Sequence, residues 1–225
     1  MTNYEVLKNL AEGVLDNLDP GPIDSDLDKA FGLTKENYIL LIEKNISLQS
    51  LRIQLGNQVE IFKNKIFSHL GINLIEDEVI VVGKYKTGKK KGQDKIKVVK
   101  KNKVKVGKKN RQVDHYIRIK RKNGVWYLYL ESKCSVKFDT EKKGESNDKV
   151  LAVAKALGAD EGVYFIPVLK TIPPELAAQY PDIKLLGVQD LFDLIPDCPF
   201  TADEVFDVYK LYAKKYFAKL EKDEV

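Results

Sequence analysis

The chain has 225 residues, a length that suits one domain with a small addition and is sufficient to bury a core. Hydrophobic residues make up 44% of it and charged residues 32%, which excludes a disordered chain and indicates a globular protein with a heavily charged surface. No apolar run approaches the roughly 20 residues that a membrane-spanning helix needs. The first residues contain no apolar signal core, and two cysteines make neither a disulfide framework nor a four-ligand zinc site, so we expect a cytoplasmic protein.

The formal net charge of +5 is unevenly distributed along the chain. The basic segment, Lys84 to Arg111, holds fourteen Lys or Arg residues and one acid, Asp94. Its net charge is therefore +13, and the remaining residues together carry −8. Such a segment is either a solvated loop whose lysines repel one another or a binding surface for a polyanion, most commonly nucleic acid.

The first half of the chain shows helical spacing before it shows strands. Apolar residues three and four apart predict helices over residues 3–18, 27–43 and 47–70, the second with a break near Gly32 and an N-cap at Thr34. A β-branched run then predicts a strand over 78–83. Within the basic segment, the Lys/Val runs 96–100 and 103–106 would suit a two-stranded ribbon.

A hairpin is the clearest local signal in the second half. Alternating runs over 112–120 and 125–134 flank Asn123-Gly124, a dipeptide that favours a tight turn between strands. The remaining pattern predicts helix, strand, helix, strand, helix and helix, over residues 148–157, 163–169, 174–180, 184–187, 188–195 and 201–219.

Alternation along the hairpin brings charged side chains together. Glu131 and Lys133 share one face of the second strand, because side chains two residues apart point to the same side. If the hairpin closes at Asn123-Gly124, Asp114 and Cys134 are about equally far from the turn, and Asp114 lies beside Glu131 and Lys133 at the strand ends. His115 points to the opposite face, where a core histidine is expected.

Two carboxylates and a lysine at the end of a sheet have a clear chemical use. The carboxylates can bind a hard divalent cation such as Mg²⁺. The cation polarises a phosphodiester and lowers the pKa of an attacking water, while the lysine orients that water and stabilises the developing charge. The alternative is an ordinary cross-strand ion pair on a solvated sheet face.

This arrangement resembles the PD-(D/E)xK nuclease superfamily, the fold of many restriction endonucleases and recombination nucleases. The core of that family runs helix, strand, strand with the aspartate, strand with (D/E)xK, helix, strand, which is the order predicted over residues 47–169. Asp114 looks like the motif's aspartate, and Glu131-Ser132-Lys133 looks like its (D/E)xK tripeptide. Val113 stands where the family often has proline.

The resemblance implies an α/β fold with a central mixed β-sheet flanked by helices in αβββαβ order, with helical additions at both ends. Residues 1–46 would form a helical N-terminal region, and 47–225 the nuclease core with the C-terminal helix. Asp114, Glu131 and the backbone carbonyl of Ser132 would be ligands of Mg²⁺, which Mn²⁺ could replace, and Lys133 would be catalytic. A further catalytic and metal-binding carboxylate is expected in the first core helix at Glu60, with Glu43 as its rival.

The function implied by the resemblance is Mg²⁺-dependent hydrolysis of duplex DNA, most characteristically by a homodimeric type II restriction endonuclease. A junction or repair nuclease of the same fold and a non-catalytic DNA-binding protein are the alternatives. The basic segment would attract phosphates to the metal site against the repulsion of its carboxylates. Its predicted DNA-binding residues are Lys84, Lys86, Lys89, Lys90, Lys91, Lys95, Lys97, Lys108, Lys109 and Arg111.

Overall fold

The computed structural model describes residues 25–74, 78–84, 94–99, 103–135 and 143–222. Contacts divide them into two compact units: the described residues up to Phe62 with those from Phe200 onward, and Lys63–Pro199. The predicted helix over 3–18 lies outside the described residues. The domain boundary expected between residues 46 and 47 stays a prediction.

Every element predicted from residue 27 onward has a counterpart in the structure. The helices of the described residues are α1 (Asp26–Ala30), α2 (Lys35–Glu43), α3 (Leu48–His69), α4 (Lys143–Leu157), α5 (Pro174–Ala178), α6 (Val188–Phe192) and α7 (Ala202–Lys222). The strands are β1 (Glu78–Lys84), β2 (Asp94–Val99), β3 (Lys103–Val106), β4 (Lys109–Gln112), β5 (His115–Arg121), β6 (Gly124–Ser132), β7 (Glu161–Phe165) and β8 (Lys184–Leu186).

The first unit is helical. It contains α1, α2, most of α3 and α7, and its core includes the rings of Phe31 and Tyr209, which stack with centroids 4.9 Å apart. Gly32 separates α1 from α2 with a φ of 63°, a backbone conformation that glycine adopts without steric cost. Thr34 and Asn37 form a capping box at the start of α2, so the predicted break and N-cap are both confirmed.

The second unit contains a four-stranded mixed sheet in the order β5-β6-β7-β8. β5 and β6 are antiparallel, whereas β6, β7 and β8 are parallel to one another. Helix α4 crosses between β6 and β7 and packs closely on the sheet, since a Cβ at Gly162 would lie 2.9 Å from the Cβ of Ala154. The end of α3 covers the other face, where the ring of Phe67 contacts His115 and Phe165.

Strand pairing along the β5 edge of the sheet was not predicted from the sequence. β1 forms where a strand was predicted, but in the described residues it pairs with β2 in a separate antiparallel sheet. Residues 72–74 lie beside β5 instead: Arg118 N–H donates to the Ile72 carbonyl and Leu74 N–H to the Tyr116 carbonyl, each at 2.8 Å. The α/β fold with a mixed sheet flanked by helices is confirmed, and the specific nuclease core order stays a prediction.

The Lys/Val runs of the basic segment both form strands, but they do not pair with each other as the predicted ribbon. β2 pairs with β1, and β3 pairs with β4 from Lys103↔Gln112 to Val106↔Lys109. The β3–β4 turn contains Gly107 with a φ of 59°, which lets the chain reverse immediately after Val106 and so favours this local pairing. Among the described helices, none is both long and apolar enough to cross a bilayer.

Candidate functional site

The register of the β5–β6 hairpin places Asp114 level with Glu131. Arg121 pairs with Gly124, so the loop is Lys122-Asn123, and the pairing continues to His115↔Leu130. A two-residue loop at Asn123-Gly124 would have placed Asp114 opposite Lys133 instead, next to Cys134. The structure brings Asp114 beside the tripeptide, and Ser132 N–H donates a hydrogen bond of 3.1 Å to Asp114 Oδ2.

Glu131 is the buried centre of this cluster. Its side chain is 7% exposed, and three donors converge on its carboxylate. Tyr129 donates its hydroxyl to Oε2, while the ammonium groups of Lys149 and Lys133 lie 2.8 and 3.3 Å from Oε1. A buried carboxylate needs such partners, because removing its charge from water carries a large free-energy cost that only hydrogen bonds and opposite charges offset.

The electrostatics of Glu131 follow from these partners. Burial acts to raise the pKa of its carboxyl, but hydrogen bonds from Lys149 and Tyr129, and the charges of Lys149 and Lys133, hold that pKa below its usual value. Burial, with the neighbouring Glu131 charge, raises the pKa of the Tyr129 hydroxyl. The same two causes raise the pKa of Tyr164 to about 12, because Tyr164 pairs with Glu131 across β6 and β7. Glu131 is therefore ionised at neutral pH and both tyrosines are protonated.

Ser132 joins the cluster to α3 on the other face of the sheet. The ammonium of Lys63, a residue only 3% exposed, lies 2.6 Å from Ser132 Oγ. Ser132 is therefore hydrogen-bonded through both its backbone N–H, to Asp114, and its side-chain hydroxyl, to Lys63. The backbone of Lys133 is fixed as well, by a hydrogen bond of 2.9 Å to the Phe165 carbonyl of β7.

Three of these partners were not singled out from the sequence. Tyr129 could have been found, because it precedes Glu131 by two residues and so shares its face. Lys149 and Lys63 lie in helices far from the hairpin along the chain, and no motif marks them. Only tertiary packing, which places α4 on one face of β6 and α3 on the other, brings their ammonium groups to the tripeptide.

The predicted helix carboxylate belongs to a different unit from the other predicted site residues. Glu60 and its rival Glu43 lie in the first unit, whereas Asp114, Glu131 and Lys133 lie in the second, so the role of either glutamate stays a prediction.

The basic residues are only partly described. Lys108 and Lys109 are exposed on the β3–β4 hairpin, where Arg111 is half-buried. β3 packs against α4, the helix that carries Lys149, so this hairpin adjoins an element of the site. Lys84 lies in β1, and Lys95 and Lys97 lie in β2. The other predicted DNA contacts lie outside the described residues: Lys86, Lys89, Lys90 and Lys91.

The donor set suits a hard divalent cation in kind. Mg²⁺ is commonly bound by one or two carboxylates, with waters and substrate phosphates completing its shell. Asp114 and Glu131 are two such carboxylates at adjacent strand ends. Within the part of the chain that the structure describes, no three His, Cys, Asp or Glu side chains are grouped as for a metal, so other ligands would have to complete the shell.

Comparisons of the chain with protein-family models, curated proteins and solved structures found no match. The resemblance to the PD-(D/E)xK nucleases therefore rests on Asp114, the Glu131-Ser132-Lys133 tripeptide and the order of elements. What the site can do follows from its own geometry and chemistry.

Stability should depend on the ionisation of Glu131. Its folded-state pKa lies below the usual 4.5, so the stability it contributes is present above that value and is lost as the pH falls through the folded pKa. We therefore expect the stability advantage of the wild type over Glu131→Gln to shrink as the pH is lowered from about 7 to about 3 in urea-unfolding measurements. Tyr129→Phe should shift this loss to higher pH, because it removes a donor to the ionised carboxylate. A pH-independent difference between wild type and Glu131→Gln would contradict the cluster's electrostatics.

Proposed function

We propose that the protein is a Mg²⁺-dependent DNA endonuclease of the PD-(D/E)xK type, most characteristically a homodimeric restriction enzyme. The observation that carries the proposal is the meeting of Asp114, Glu131 and Lys133 at the end of two neighbouring strands. Two carboxylates and one ammonium group in this arrangement match the needs of metal-assisted phosphodiester hydrolysis.

Each residue of the cluster would have a separate role. Asp114 and Glu131 would hold the cation, together with the Ser132 carbonyl, and Mn²⁺ would serve in place of Mg²⁺. The cation would supply a Lewis acid for the phosphate and lower the pKa of a bound water. The ammonium of Lys133, whose side chain is 38% exposed, can reach solvent and orient the attacking water. Tyr129 would fix the rotamer of Glu131 through its hydroxyl.

The basic hairpin supports DNA as the substrate. Lys108 and Lys109 are exposed, and β3 of the same hairpin packs against α4, which contributes Lys149 to the cluster. Cationic side chains beside the carboxylates would offset their repulsion of phosphate, mainly through contacts that do not depend on base sequence.

One specific observation favours the alternative function, in which the protein binds DNA without cleaving it. The Glu131 carboxylate already accepts from Tyr129 and lies within 3.3 Å of two ammonium groups, as a structural ion cluster would. This alternative predicts DNA binding through the basic hairpin without cleavage in any divalent metal.

Plasmid cleavage separates these functions. In Mg²⁺ the wild type should cut duplex DNA, and Asp114→Asn or Glu131→Gln should lower the single-turnover rate by at least about a thousandfold, because each removes charge that holds the cation. Lys133→Met should lower the rate with little loss of DNA affinity. Lys155→Met is the control, because Lys155 is exposed on α4 and is not among the described partners of Glu131, which are Tyr129, Lys133 and Lys149.

The fragment pattern decides the finer proposal. Discrete bands from a long duplex would indicate a restriction enzyme, and preference for branched duplexes would indicate a junction nuclease. Absence of cleavage by the wild type in both Mg²⁺ and Mn²⁺ would contradict the nuclease proposal and leave the binding protein.

DNA binding should also be strongly salt-dependent. Each phosphate contact contributes about −0.9 to the slope of log K against log salt, so Lys108→Gln with Lys109→Gln should flatten that slope by up to about two units. The affinity for unrelated duplex sequences should fall by similar factors. A matched control is Lys214→Gln with Lys215→Gln, which removes the same charge from exposed positions of α7. Equal slopes in both double variants would show that the hairpin lysines only contact solvent.

A further inference from the structure

Lys149 approaches Glu131 from outside the strands that form the proposed site. Its ammonium lies 2.8 Å from Glu131 Oε1, closer than the 3.3 Å of Lys133 on the same oxygen. The side chain of Lys149 is 33% exposed, whereas that of Glu131 is 7% exposed. The roles assigned above to Asp114, Glu131 and Lys133 make no use of Lys149.

The charge balance of the cluster connects Lys149 to the cation. A buried carboxylate requires compensating positive charge, and Lys149 and Lys133 supply it in this structure. A divalent cation bound to Glu131 would supply the same compensation, and it would lie within a few ångströms of the Lys149 ammonium. Like charges at that distance inside a protein repel strongly. Contact of Lys149 with Glu131 and cation binding are therefore antagonistic.

Lys149 has the freedom to move that such an exchange requires. Its ammonium ends a four-carbon flexible stem, and the side chain is 33% exposed at the surface of α4. Lys63 differs in this respect, because it is buried at 3% exposure and bonded to Ser132. An ammonium released from Glu131 would stay on α4, beside the basic β3–β4 hairpin.

We propose that Lys149 is an internal counter-ion of Glu131 that a divalent cation displaces, and that the displaced ammonium binds a phosphate of the DNA. The inference rests on the proposed function for the identity of the cation. It assigns one lysine two successive partners of the same charge, first a carboxylate and then a phosphate.

Calorimetric titration of the DNA-free protein with Mg²⁺ tests the displacement. Lys149→Met removes the ammonium that competes with the cation for Glu131, so it should tighten Mg²⁺ binding by about tenfold or more. In the wild type the apparent affinity is lowered, because only the protein molecules whose Glu131 is not in contact with Lys149 can bind the cation. Lys149→Arg should weaken Mg²⁺ binding, because a guanidinium can grip the carboxylate with two hydrogen bonds. Lys155→Met, the exposed control on α4, should leave Mg²⁺ binding unchanged.

Affinity for a short duplex, measured with and without Mg²⁺, tests the second partner. Lys149→Met should weaken duplex binding in Mg²⁺ by more than Lys155→Met does, and the two variants should be alike in a chelator. A loss of duplex affinity in Lys149→Met that is equal in Mg²⁺ and in the chelator would overturn the phosphate contact.

The outcomes also separate this inference from the proposed function. Mg²⁺ binding that is equal or weaker in Lys149→Met, with the wild type still binding and cleaving, would overturn the inference and leave the function. Binding by Lys149→Met alone would support displacement and count against a metal-dependent wild type. If Lys149→Met fails to fold, weaker Mg²⁺ binding in Lys149→Arg still supports the inference and tighter binding overturns it. Absence of Mg²⁺ binding in every folded variant would overturn both.

Discussion

Pairing of Arg121 with Gly124 sets the position of every residue along β5 and β6. The two-residue loop Lys122-Asn123 fixes this register, and a slip by one residue would turn each side chain of a strand to the other face. The observed register places His115 in the core against Phe67 and leaves the preceding Asp114 level with Glu131. The same strand β6 pairs in parallel with β7, so the sheet extends from the hairpin that forms the site.

Burial of Glu131 is the second constraint, and it follows from the first. The residue lies at the end of β6 under α4, where an ionised carboxylate is stable only with donors around it. Tyr129 supplies one from the same strand, Lys133 another from the chain just beyond it, and Lys149 a third from the helix. These donors stabilise the fold, and they occupy the oxygens that a cation needs. The proposed activity therefore requires the cluster to exchange one positive partner for another.

Much of the architecture could be predicted from local pattern. Helical spacing located α3 and α7, and period-two alternation located β5 and β6 and assigned Glu131 and Lys133 to one face. These signals depend on neighbours within a few residues, which is why they were sufficient. The register of the turn was not predicted, because the Asn123-Gly124 dipeptide is compatible with a two-residue loop at 122–123 or at 123–124. In the structure the loop is 122–123, and Gly124 is the first residue of β6, with a φ of 134°.

Contacts between distant segments could not be predicted in this way. Residues 72–74 run along the edge of β5, and β1 pairs with β2, and no local pattern in the sequence indicates either pairing. Lys149 is one of 38 Lys and Arg residues, and nothing local distinguishes it from exposed Lys155 on the same helix. Packing of α4 against β6 and β7 is what selects it.

The most direct test of the site is the anomalous diffraction of Mn²⁺ in crystals of the wild-type protein. We expect a single strong anomalous peak from a Mn²⁺ ion bound by carboxylate oxygens of Asp114 and Glu131, with the Lys149 ammonium moved away from Glu131 Oε1. Absence of a peak at this place in saturating Mn²⁺, with Lys149 still in contact with Glu131, would contradict a metal-dependent active site.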